Sequence, residues 1–224
     1  MRMNQQSVRD SVLLVSASFI VLFQELALIR WVPSQVRVLA YFPNVVLISS
    51  FLGLGIGCLL AKQKSLLWTW PVSVLGLAWA SSLASRVAFT QESVQEHLWL
   101  LYADLPQEAL VVHGIRLPII VGFVLTALCF VGLGQLVAQL LSRFGKREKP
   151  LIGYVFDLAG SIIGIGIFTL FSFFRMEAVS WFVAVGVLGL IVVRRWSLLI
   201  HLVCWSLLVI VIVSAERAQF YSPY

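Results

Sequence analysis

Charge is what this sequence has least of. Asp, Glu, Lys and Arg make up 12% of its 224 residues, about half the share found in soluble domains. Hydrophobic residues reach 60% and the mean hydropathy is +0.97. So little charge cannot cover a water-facing surface, which places the chain in the membrane class. Cysteine is also scarce. Cys58, Cys129 and Cys204 fall in three different apolar stretches with no CxxC pair, so they read as soft packing residues and not as a disulfide framework or a metal clip. His97 and His113 lie near acids but match neither an HxxxH nor an HxxE pattern, and no metal site is read from them. HExxH, GxSxG and paired-acid motifs are missing, so no catalytic residue and no cofactor site is assigned. The net charge of +6 is spread over short loops with no concentrated patch, which argues against nucleic acid as a partner.

Long apolar runs are what the chain does have. A span needs roughly 20 apolar residues to cross a hydrocarbon core of about 30 Å. Stretches of that kind fall at about 11–31, 39–61, 66–86, 117–141, 151–174, 177–193 and 196–215. The reading is all-α: a single transmembrane domain over 1–224, a polytopic bundle of about seven helices. The first stretch follows Arg2 and Arg9 but exceeds an ordinary signal-peptide core and meets no small-residue cleavage site, so it reads as a retained span.

The loops then alternate in charge. Arg2, Arg9, Lys62, Lys64, the run "SRFGKREK", Arg194 and Arg195 share one side, while the other side is diluted by Glu92, Glu96, Asp104, Glu108, Glu177 and Glu216. The positive-inside rule places the N-terminus in the cytoplasm and, after seven crossings, the C-terminus outside. This is the pattern of a bacterial-type inner membrane protein. In the one long connection, Val94, Leu98, Leu101 and Leu105 recur on one helical face with Glu92 and Glu96 opposite. They predict a short outer interfacial helix at about 92–105, ended by Pro106.

Small and polar residues interrupt three of the spans. In the fifth, Gly153, Asp157, Gly160, Ser161 and Gly164 recur at spacings of three and four, and stripes of this kind let helix backbones approach closely in lipid. The second span carries Ser49, Ser50, Gly53 and Gly57, and the fourth carries Gly132, Gln135 and Gln139. Spans two, four and five are therefore the expected packed centre and the expected surfaces for a protein partner or an oligomer. Two acids lie inside spans, Glu25 beside Gln24 and Asp157, each about six residues from a membrane face and on opposite sides. A buried acid is costly in lipid, by about 2.5–3.5 kcal/mol on insertion scales, so each needs a partner. For Asp157 the cations within reach are Lys62, Lys64 or Arg143; for Glu25 they are Arg37, Arg86 or Arg116, since Arg30 at i+5 is off its face. Two readings stand for each acid: a structural ion pair or helix–helix hydrogen bond, or a proton or cation relay.

Three pieces together, "ELALIRWVPS", "NVVLISSFLGLGIGCLLA" and "GLGQLVAQLLSR" followed by "PLIGYVFDLAGSIIGIGIF", resemble the N-terminal multi-spanning module of membrane-bound spermidine-synthase-like proteins. The pattern Tyr154, Asp157, Leu158, Gly160, Ser161, Gly164 is its most specific part, and "FYSPY" resembles the junction at which that family's soluble domain begins. The resemblance implies a membrane bundle ahead of a Rossmann-like aminopropyltransferase or methyltransferase-like domain. No such domain lies within these residues, so no catalytic residue carries over. The function expected is a non-catalytic scaffold or anchor that packs against or recruits a catalytic partner. The alternative is a small-cation or polyamine transporter using Glu25 and Asp157.

Overall fold

The computed structural model describes residues 5–36, 39, 42, 44–85, 119–147, 150–193 and 197–220. Every regular element among them is helical: α1 Gln5–Gln35, α2 Asn44–Leu59 with a 3-10 turn Leu60–Lys62, α3 Thr69–Ser85, α4 Ile119–Lys146, α5 Pro150–Phe173, α6 Ala178–Val192 and α7 Leu198–Phe220. The helix expected at 92–105 lies outside the described residues, as do His97, His113, Arg37, Arg86 and Arg116.

Five of the helices, α1, α2, α4, α5 and α7, are long and apolar enough to cross a membrane. The expected count of seven is thus met in helices but not in full-length spans. α6 is apolar but has 15 residues, a rise of about 22 Å against a core of about 30 Å. α3 has 17 and starts three residues later than expected, because Gln135 holds the preceding backbone in a turn. The outward faces suit lipid. Ile48, Phe51, Ile152, Ile162, Ile200 and Val203 are exposed, where a water-soluble bundle would place polar side chains.

α1 is the central column. It packs against α5, α6, α4, α2 and α3, and 61% of its most apolar window is buried, against 28% for α2 and 22% for α5. Phe23 at its middle is fully buried, edge-on to Phe168 and Phe171 of α5. The most extensive helix pair is α2 with α4. There Gly53 and Gly57 lie directly on the Ala127 and Val131 carbonyls, and a Cβ on Gly134 would come within 2.6 Å of the Leu54 carbonyl oxygen. Backbones this close leave no room for any side chain, so the contact depends on glycine. Gly132 sits 3.0 Å from the Leu66 carbonyl by the same measure.

The expected centre of spans two, four and five requires correction. α5 does not complete the α2–α4 pair; its stripe lies on α1, with Gly160 on the Val15 backbone and Gly164 against the Phe19 carbonyl. Gly153 alone turns to α4, against Phe144, and Ser161 is half-buried. A glycine stripe encodes close approach but not which helix approaches. α1 receives the stripe on its Val15 and Phe19 backbone, and Ser18 on the same side bonds to Asp157.

Candidate functional site

The intramembrane acids occupy separate seats on α1. Glu25 is buried and accepts a hydrogen bond from the Ser50 hydroxyl of α2. Asp157 on α5 is half-buried, and Ser18 of α1 donates to its Oδ1 at 2.5 Å. Ser18 and Glu25 are seven residues apart, about 10 Å along the helix. The cation expected on Asp157 is placed elsewhere: Arg143 Nη1 lies 3.0 Å from Asp10 Oδ1. Arg147 Nη2 is 2.9 Å from Asp10 Oδ2, off the axis of a hydrogen bond and so an ion pair only. Asp10 is 3% exposed and was missed because it precedes the apolar run, where a charge reads as solvated. Arg143 in the last turn of α4 and Arg147 just after it lie against the start of α1 and neutralise Asp10.

The two glutamines are consumed by packing. Gln24 accepts from the Trp70 indole at 2.7 Å and points its amide nitrogen at the Cys129 carbonyl, 3.5 Å away, tying α1 to α3 and α4. Gln135 of α4 accepts from the Leu66 amide at 2.6 Å and donates to the Leu60 and Lys64 carbonyls at 2.8 and 3.0 Å. It therefore fastens the α2–α3 connection at three of its peptide groups. A buried aromatic cluster completes the α3–α6–α7 contact. His201 stacks on Trp205 with ring centroids 4.9 Å apart and lies beside Trp70, its Nε2 facing the Gly186 carbonyl at 3.0 Å, while Trp205 donates to the Phe182 carbonyl at 2.7 Å.

A cavity lies at one end of the described helices. Where α1 finishes and α5 turns into α6, a cavity of about 480 Å³ is lined by Arg30, Trp31, Gln35, Arg175, Met176 and Trp181 among others. Arg30 donates to the Ser172 hydroxyl and lies over the Trp181 ring, 5.3 Å from its centroid. The α5 terminus is closed by Met176 N–H on the Phe171 carbonyl and Arg175 N–H on the Ser172 carbonyl, a Schellman cap. Arg175 occupies its left-handed position, φ 52°, where glycine is the usual residue. From the sequence, Arg30 is weighed only as a partner for Glu25 and Arg175 is assigned no role. The "IRW" and "FFRM" contexts were the available signal, but nothing in the chain order says that they meet.

The three cysteines are free, and among the described residues no group of three His, Cys, Asp or Glu side chains is placed to hold a metal. These features define an all-helical, membrane-embedded bundle in which Glu25, Asp157, Gln24 and Gln135 are tied to neighbouring helices or turns. Comparison with protein-family models, with characterised proteins and with solved structures finds no match.

Proposed function

We propose that the chain is a non-catalytic membrane module, a scaffold or anchor that packs against or recruits a catalytic partner, of the kind that precedes the soluble domain in spermidine-synthase-like membrane proteins. In this reading it crosses a bacterial-type inner membrane seven times with its N-terminus in the cytoplasm. The shorter α3 and α6 are accommodated by local thinning of the bilayer. One observation carries the reading: Glu25, Asp157, Gln24 and Gln135 each bond to a neighbouring helix or turn. Polar groups spent on packing belong to a framework. A relay needs acids that exchange partners with a cargo.

The test is purification from native membranes in mild detergent with mass spectrometry, alongside polyamine uptake into proteoliposomes. A stoichiometric companion with an aminopropyltransferase-like fold and no uptake supports the scaffold. A lone, stable monomer or homodimer counts against it. Uptake that is abolished by Asp157→Asn in a folded protein establishes the transporter instead.

A further inference from the structure

The cavity at the α1 and α5–α6 end leaves three buried polar atoms without partners. Trp31 Nε1, Trp181 Nε1 and Gln35 Oε1 each lack a hydrogen-bond partner among the described residues, on residues 3%, 6% and 5% exposed, and all three line the cavity. Buried polar groups are almost always satisfied, so several orphans around one space point to something that fills it. The Arg175 guanidinium likewise has no hydrogen-bond or ion-pair partner among the described residues, and Arg30 spends one nitrogen on Ser172.

We infer that this cavity binds the phosphate of a phosphate ester. The donors set the charge: two guanidiniums, which cannot deprotonate, and two indole N–H groups, which can only donate. Arginine forks match phosphate oxygens, and a phosphate offers enough acceptor positions to take donors from α1, from the α5–α6 turn and from α6 at once. The one orphan acceptor, Gln35 Oε1, calls for a hydroxyl or amine on the esterified group. About 480 Å³ exceeds what a bare anion fills and lies in the range of small-ligand pockets, roughly 300–1,000 Å³. Among the described residues no acid lines the space; Glu177, the nearest of them in sequence, is exposed and outside it. Arg175 supplies independent support. Its left-handed backbone position favours glycine, and a large cation is held there in spite of the strain. Tryptophans at a helix end, beside arginine, also mark the headgroup level of a bilayer. The phosphate therefore comes from a lipid headgroup or from a soluble ester.

Arg175→Gly is the decisive variant, because glycine suits the backbone and removes only the cation. The full chain, delipidated in detergent, is titrated with dioleoyl phosphatidylglycerol, and separately with glycerol 3-phosphate, while thermal stability and native mass are followed. The wild type gains stability and holds one ligand per chain. Phosphatidylglycerol acting alone identifies a lipid source; glycerol 3-phosphate binding at the same site identifies a soluble one. Arg175→Gly is more stable than the wild type without ligand and binds about tenfold more weakly or worse. Trp181→Phe, which keeps the ring and loses the N–H, is weakened as well. If neither ligand binds the wild type, or if both variants bind as the wild type does, the inference is overturned.

Discussion

Replacing Gln135 with methionine, which has nearly its shape but no hydrogen-bonding amide, tests whether one side chain holds the α2–α3 connection. Gln135 is 1% exposed and makes three bonds of 2.6, 2.8 and 3.0 Å to backbone groups of that connection. At about 1 kcal/mol per bond the loss is about 3 kcal/mol; at the membrane-protein average of about 0.6 per bond it is about 2. Gln139, one turn further along α4, is the internal control, with a single bond of 3.1 Å to the Ala61 carbonyl. Its methionine variant loses about 0.6–1 kcal/mol on the same scales. Reversible unfolding in mixed micelles measures both, and hydrogen exchange at the Leu66 amide reads the local effect. Gln135→Met should speed that exchange strongly and Gln139→Met only slightly. Equal losses for the two variants, or an unchanged Leu66 amide in Gln135→Met, would refute the clamp.

Other consequences are as direct. Gly57→Leu should separate α2 from α4 and cost several kcal/mol, since the side chain must displace the Val131 carbonyl backbone; unfolding in micelles and crosslinking between the two helices report it. Ser50→Ala should destabilise by about 1–3 kcal/mol by leaving Glu25 without its donor. Glu25→Gln, whose amide oxygen still accepts from Ser50, should come close to wild-type stability in the same assay. Removing both Arg143 and Arg147 as glutamines strands the Asp10 carboxylate and should cost about 3 kcal/mol, less where solvent reaches the exposed arginines. Adding Asp10→Asn should recover most of that loss, and a triple variant as unstable as the double would contradict the ion pair.

The helices were legible because apolar runs and their polar interruptions are local properties. The all-helical architecture and the positions of α1, α2, α4 and α5 follow from run length alone. Partnership was not legible. The stripe from Gly153 to Gly164 is visible in the chain, but its seat on Val15 and Phe19 depends on which helix offers a matching groove. Asp157 could be recognised as an acid needing a partner, and arginine was a reasonable expectation. Arg143 is drawn instead to Asp10, which is more buried, and a serine hydroxyl serves Asp157. The Arg30–Arg175 cavity was the least visible feature, since it joins the last turns of α1 to the α5–α6 turn, positions 145 residues apart in the chain.

The central place of α1 bears on the order of manufacture. It leaves the ribosome ahead of the other described helices, and it carries Asp10, Gln24 and Glu25, so these enter the translocon before their partners on those helices. Its debts are settled in chain order: Ser50 reaches Glu25 with α2, Trp70 reaches Gln24 with α3, and Arg143 reaches Asp10 with α4. Only then does α5 dock its glycine face, bringing Asp157 to Ser18. Nascent chains halted after each helix should therefore show stepwise falling recognition by quality-control proteases, with the first helix, and not the newest, as the part being protected.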